Sequence, residues 1–415
     1  MKLTSRDLSM LNGEQSRAAA MAMELVVTVG ESLGANRLVD ISSAHIDGCL
    51  YHGVAGMDFA ESLVAGGGKV VVPTTLNVTS FDLLHPELYE GTEDDQVFPR
   101  RLMDAYVALG CEPTWTCAPY QLAQRPQMGE QIAWGESNAI VFANSVLGAR
   151  TGRYGDFMDI CCALTGRAPY TGLHTDEGRL ATLVVELGLT DKILASDVSY
   201  PLIGHSIGKM AGNEVVAIVG LPAGTSEDRL KALGAAAASS GSVAMFHAVG
   251  VTPEAPSLGA ATGGRPPRQV VQLGKDELRL AFDELDSRTT GILGAVSVGT
   301  PHMSATEMRE LLDLLAGRRS AVPFYVNTSR GVLEAISDVD WPGALQSFGA
   351  TLVTDTCTYI SPVMDRVVGD VMTNSGKWAF YAPANLGVGV LFGSLADCVD
   401  SAVAGSALPA EVLRW

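Results

Sequence analysis

The chain has 415 residues, 47% hydrophobic and only 6% aromatic, enough to bury a large core of Ala, Val and Leu in one large or two coupled α/β lobes. A formal charge of −18 argues against nucleic acid or an anionic membrane as partner, while a local basic pocket remains compatible with a small anionic substrate. Seven widely spread cysteines, an odd number, fit a reducing cytoplasm rather than a disulfide framework.

In chain order, the amino-terminal stretch lacks the apolar core of a signal peptide. Leu8, Leu11, Ala18, Met21, Leu25 and Val26 keep a roughly helical spacing up to the break at Gly30 and Gly34. The glycines 66–68 lead into a short buried strand, 69–73, which ends in Thr74, Thr75 and Asn77. A second strand is expected over 140–143, opening into Asn144-Ser145 and Arg150. The second half alternates more plainly. Strands are expected at 243–246, 269–273, 295–298, 324–326 and 351–353, with helices at 230–238, 275–285 and 305–315. Ser304-x-x-Glu307 is a capping box for the last of these helices. The most apolar run, 234–251, is interrupted by three serines, Gly241 and His247, so it is a poor membrane span. Residues 253–267 read as an exposed loop. This alternation predicts βα units and a largely parallel sheet.

Cys117, Cys357 and Cys398 fall where strand ends or first helical turns are expected, the places where open α/β sheets assemble sites. Three thiolates without a dedicated fourth suit an iron–sulfur or mononuclear iron centre with an open position for a substrate hydroxyl. Their separations are too wide for a short C-x-x-C signature. Cys49, Cys111, Cys161 and Cys162 read as buried structural residues. His45 and His302 each follow an expected strand and read either as hydrogen-bonded core histidines or as functional groups; His174 reads as fixing a loop. Arg150 and Arg153 could bind a carboxylate or phosphate, or pair with the plentiful acids. Lys69 and Lys377 flank apolar strands, where an inward lysine can serve as a base and a surface one merely snorkels. Gly387-x-Gly389-x-x-x-Gly393 has the wrong spacing for a dinucleotide fingerprint, and no Walker A, HExxH or GxSxG motif occurs.

Ser42-Ser43-Ala44-His45, Val72-Pro73-Thr74-Thr75-Leu76-Asn77, Thr116-Cys117-Ala118-Pro119-Tyr120 and the run from Asn144 to Thr151 closely resemble motifs of the aconitase X family. So do Leu164 to Tyr170, Phe246 to Ala255 and Asn374-Ser375-Gly376-Lys377, in order along nearly the whole chain. The resemblance implies an aconitase-like core of two to three coupled α/β lobes spanning 1–415. It also implies a cytoplasmic large subunit that works as a heterodimer with a separate small subunit, the small swivelling domain being absent from this chain. The implied activity is a hydro-lyase removing water from cis-3-hydroxy-L-proline to give 1-pyrroline-2-carboxylate. The alternatives are mevalonate 5-phosphate dehydration or a non-catalytic iron-binding scaffold. The implied cofactor is an iron–sulfur cluster of open nuclearity, or mononuclear iron, on Cys117, Cys357 and Cys398. Lys69 is the expected base, with Ser43 and His45 as proton relays; Thr74, Thr75, Asn77, Asn144, Ser145 and Arg150 are expected to hold the substrate.

Overall fold

In a computed structural model, which describes residues 1–364 and 366–415, the chain divides into two compact units. The first comprises Met1–Ser80, Gly91–Leu180 and Thr252–Glu254; the second comprises Phe81–Glu90, Ala181–Val251 and Ala255–Trp415.

The first unit holds five short strands, β1 (Leu38–Asp40), β2 (Ala44–Ile46), β3 (Thr74–Leu76), β4 (Ala133–Trp134) and β5 (Arg167–Pro169). β2 is central to a parallel sheet in the order β3-β2-β4, and β1 pairs antiparallel with β5. Helices Ser5–Leu11 and Arg17–Ser32 carry the amino-terminal periodicity, but the break falls at residues 12–16 and Gly30 lies inside the second helix. Two strand expectations fail for local reasons. The run 69–73 spends its amides on helix ends, Val70 on the Leu109 carbonyl and Val71 on that of Ala163, so the ladder starts only at Thr74. The apolar run after Glu136 is a helix, Ser137–Phe142, because the Glu136 carboxylate caps it by accepting from the Ala139 amide at 2.8 Å. It continues into a π-turn, Ala143–Leu147, closed by left-handed Gly148.

The second unit is α/β throughout. Its strands are β6 (Leu183–Leu187), β7 (Val216–Val219), β8 (Phe246–Ala248), β9 (Gln269–Leu273), β10 (Leu293–Met303), β11 (Phe324–Thr328), β12 (Ala350–Val353), β13 (Asp370–Thr373) and β14 (Val390–Phe392). They form two parallel sheets, β8-β7-β6-β9 and β12-β11-β10-β13-β14. The helices expected at 275–285 and 305–315 and the Ser304/Glu307 capping box are present, whereas β8 starts three residues later than expected and 253–267 contains a short helix, Leu258–Thr262. Phe324 and Phe348 meet edge to face at 5.2 Å in the core of the larger sheet, with Met308, Leu311 and Val326.

Helices Ser199–Ala211 and Glu227–Ser240 cross so closely that a Cβ on Gly204 would lie 2.1 Å from the Leu233 carbonyl oxygen. Gly204→Ala is therefore expected to destabilise the second unit by about 1–3 kcal/mol through overpacking, read as a lower urea midpoint. An unchanged midpoint would show that the two helices are not in this contact.

Candidate active site

In the first unit the carboxyl ends of β2, β3 and β4 gather a buried polar network. His45, fully buried, hydrogen-bonds the Thr75 hydroxyl through Nδ1 at 2.8 Å, while its Nε2 has no hydrogen-bond partner. Burial lowers its pKa to about 4, against the opposing pull of Glu136, so the imidazole is neutral at pH 7. Asn77 hydrogen-bonds Asp47, whose amide donates to Asp159 at 2.7 Å. Cys117 is buried in the next loop, where Asn138 donates to its carbonyl at 3.0 Å and accepts from Tyr120 at 2.6 Å. Ser43 is half-buried just before β2, two residues from His45.

A second network in this unit is closed on itself. Arg179, only 2% exposed, forks onto Glu254 at 2.6–3.1 Å and donates to both the side-chain and the main-chain oxygen of Asn144 at 3.0 and 2.8 Å. Asn144 also accepts from the Thr151 amide and donates to its carbonyl, both at 3.0 Å. Its amide oxygen thus accepts two bonds from within the protein, from the Thr151 amide and Arg179, and its NH2 donates to the Thr151 carbonyl. His174 donates from Nδ1 to Gln131 Oε1 at 2.6 Å, leaving Nε2 to accept from the Gly152 amide at 3.2 Å and from the Tyr154 hydroxyl. Burial, helped by Arg179 and Arg150, lowers its pKa to about 4. Arg150 reaches exposed Asp176 at 2.5 Å, and the Thr74 hydroxyl donates back to Val72 at 2.8 Å. Ser145 is buried in the π-turn. Lys69 is exposed and caps helix Val97–Ala108 by donating to the Ala108 carbonyl at 2.6 Å, so it is not an inward base.

The second unit carries a metal-competent pair. A ring nitrogen of His302, near the carboxyl end of β10, lies within 4.8 Å of the Cys357 sulfur, and both side chains are buried. His302 Nε2 bonds the Thr356 carbonyl at 3.1 Å, which as a donor leaves the Nδ1 lone pair as the basic site. The Cys357 turn is braced by Thr358, whose amide donates to Asn327 at 3.2 Å and whose hydroxyl meets Ser297 at 2.7 Å and the Trp378 indole at 3.0 Å. Nearby, Ser375 bonds the Thr300 carbonyl and caps the helix that opens with buried Lys377; Thr300, Ser375 and Lys377 line one narrow cleft with Lys231 and Glu307. Cys398 is not among the gathered donors. Its side chain belongs to the apolar core with Val298, Met372, Leu391 and Val399. Burial, reinforced by Asp397, pushes its thiol well above the ordinary range, the reverse of the expected thiolate.

Sequence reading singles out His302 but leaves it off the ligand set. A usable signal is present: Thr114-Trp115-Thr116-Cys117 and Thr354-Asp355-Thr356-Cys357 share a T-x-T-C pattern, and in each the residue x is left-handed, with φ of +45° and +57°. Left-handed backbone at a non-glycine residue is uncommon and clusters at functional turns.

Family models describe the chain as aconitase X first domain over residues 1–177, second domain over 181–283 and third domain over 293–404. The chain is 44% identical over its whole length to a cis-3-hydroxy-L-proline dehydratase of Pseudomonas aeruginosa, spanning 72% of that protein. It is 42% identical, over 98% of its length, to the protein of that name in Hypocrea jecorina, spanning 69% of it. A phosphomevalonate dehydratase large subunit of Thermococcus kodakarensis is 35% identical, with 92% of this chain and 95% of that one aligned. The crystal structure of Thermococcus kodakaraensis aconitase X in its holo-form superposes with a TM-score of 0.88 at 31% identity, covering 97% of this chain and 100% of the other. Among the described residues no helix is long and apolar enough to cross a membrane.

The depressed His174 pKa fixes a stability trend. Between the unfolded value of about 6.5 and the folded value of about 4, the unfolded chain takes up a proton that the folded chain refuses. This contribution is present above pH 6.5 and is lost as pH falls through that window, on the order of 3 kcal/mol. His174→Gln should therefore flatten the dependence of the urea midpoint on pH between 6.5 and 4 relative to the parent; an unchanged slope rejects a neutral, buried His174.

Proposed function

The chain belongs to the aconitase X family, and from that premise we propose that it is the large subunit of a hydro-lyase that removes water from cis-3-hydroxy-L-proline, giving 1-pyrroline-2-carboxylate. The observation that carries the reading is the buried pair of His302 and Cys357 in a chain whose relatives at 44% and 42% identity bear that enzyme's name. The name "large subunit" on the Thermococcus relative supports a separate small partner chain.

One imidazole nitrogen and one thiol sulfur, both buried, are the donor types that iron or an iron–sulfur centre takes. We assign Cys357 and His302 as donors, with Cys117 as the third on the strength of its matching T-x-T-C turn. When bound, such a centre supplies Lewis acidity toward a hydroxyl leaving group.

The remaining work falls to the chain. Lys377, buried in the first turn of its helix, replaces Lys69 as the group that takes the proton from the carbon bearing the carboxylate. His45, neutral and with an unpartnered Nε2, can accept or relay a proton while Thr75 holds its ring. Thr75, Asn77 and Ser145 remain candidates for the substrate's polar groups, with Arg150 for its carboxylate once released from exposed Asp176. Ser43, close to His45 along β2, stays a relay candidate. The enamine left by loss of water tautomerises to the cyclic imine without further help. Mevalonate 5-phosphate would need spare cations, and buried Lys231 is already neutralised by Glu307 and Asp228.

The test is turnover by the iron-loaded chain with its small partner, prepared anaerobically. Cis-3-hydroxy-L-proline is expected to yield the pyrroline; turnover of mevalonate 5-phosphate alone rejects the substrate assignment. Lys377→Met should lower kcat about 10²–10⁴-fold with bound iron retained. Dehydration that survives removal of iron from a Cys357→Ala chain would leave the thiol without a catalytic part.

A further inference from the structure

The left-handed turn that carries Cys357 is held by residues far away in sequence. Asp355, fully buried at φ +57°, receives Arg330 as a fork, Nε on Oδ1 at 2.8 Å and a terminal nitrogen on Oδ2 at 2.6 Å. The amide of Leu83 adds a third bond at 3.2 Å. One residue earlier, Thr354 gives both its amide and its hydroxyl to the Asp82 carboxylate, at 2.6 and 2.9 Å. Asp82 is itself 2% exposed and also receives the amides of Leu84 and His85, at 2.8 and 3.0 Å, and the His85 ring at 2.9 Å. At the far end of the same segment the Glu90 amide donates to the Pro362 carbonyl at 2.7 Å. Residues 81–90, an excursion from the first half of the sequence, thus pack with the second unit and embrace 354–362 at both ends.

Few of these bonds are needed to hold β12 in its sheet, which stands on its ladder with β11. Their effect is to fix the backbone of Thr354 and Asp355, the two residues that set the direction in which the chain enters Thr356 and Cys357. A non-glycine residue stays left-handed only where its surroundings over-determine it. Two buried carboxylates and one guanidinium do so here. The Thr356 carbonyl, fixed in the same turn, is the acceptor of His302 Nε2, so the turn orients both candidate donors.

We propose that Asp82 and the Arg330–Asp355 ion pair are positioning residues that hold the Thr354–Cys357 turn in its left-handed form, and thereby aim the Cys357 sulfur and the His302 ring at a shared iron. This rests on the reading of Cys357 as an iron donor. The two ideas separate experimentally.

The full-length chain is prepared metal-free as Asp82→Asn, Arg330→Met, Arg330→Lys and Cys357→Ser, and loaded anaerobically with ferrous iron alone. Three quantities are read: iron per chain, the absorption and paramagnetic resonance signals of bound iron, and, without metal, the rate at which N-ethylmaleimide alkylates Cys357. Asp82→Asn and Arg330→Met should bind iron at least tenfold more weakly, shift both spectra and expose the thiol at least tenfold faster, with helix content unchanged. Arg330→Lys should recover part of each. The Arg330 side chain is 41% exposed, so Arg330→Met carries the test if Asp82→Asn does not fold. Parental iron affinity, spectra and alkylation rate in Arg330→Met overturn the clamp. Parental iron binding by Cys357→Ser instead rejects the donor reading, and the metal-free alkylation rates still decide whether the turn is clamped.

Discussion

A charge taken out of water must be met by an opposite charge or by several hydrogen bonds, and this requirement anchors the irregular parts of both units. Arg167, 6% exposed, meets Asp7 at 3.0 Å and Asp40 at 2.7 Å, tying the first helix and β1 to β5. Arg179 does the same for the π-turn and the short 252–254 return, through Asn144 and Glu254. Asp82 and Asp355 do it for the Cys357 turn. Breaking such a pair from one side costs about 3–5 kcal/mol, because the abandoned partner stays buried. Loops that would otherwise fluctuate are therefore as fixed as the strands that lead into them.

That rigidity matters because the short sheets offer little of their own. β2, β3 and β4 are only two or three residues long, so the ladder sets direction and register but cannot hold the loops at its carboxyl end. The placement of His45, Asn77 and Glu136 at three adjacent strand ends comes from parallel pairing. Their fine geometry comes from hydrogen bonds to Thr75 in β3, Asp47 just after β2 and Asn138 in the helix that follows β4. The Cys357 turn repeats the scheme: β12 delivers the chain, and buried ion pairs and hydrogen bonds then hold Asp355 in the left-handed region.

Periodicity and capping made the middle of the second unit legible, from β9 to β12 with helices Glu227–Ser240, Lys275–Leu285 and Ala305–Leu315, the last under its Ser304 capping box, whereas β6, β7, β13 and β14 were not singled out. The first unit was harder. Its strands are shorter than any pattern can certify, and the run after Glu136 carries the same β-branched, apolar composition as a buried strand until the capping carboxylate is recognised. Family motifs pointed to the neighbourhoods of His45, Cys117 and Lys377, yet could not say which polar side chains are paired inside the protein. Asn144 sits inside one of those motifs and accepts from Arg179, 35 positions away. No local pattern encodes that pairing, nor the reach of Asp82 to Thr354 across 272 positions.

Cys398 shows how a sound local argument loses to a larger effect. A helix amino terminus stabilises an anion by about 0.3–1 kcal/mol, less than one pKa unit. Full burial moves a thiol by up to about 3–5 units the other way. The favourable position is also occupied: Asp397 takes the Ser394 amide at 2.9 Å and the Glu411 amide at 2.9 Å, while the Cys398 amide is already committed to the Ser394 carbonyl at 3.0 Å. With the helix end neutralised by a carboxylate, the adjacent sulfur is left as an apolar filler among Val399, Leu391 and Met372. The candidate donors of this unit stand instead at the ends of strands, where a carbonyl such as that of Thr356 can orient an imidazole and the Cys357 thiol belongs to the same turn.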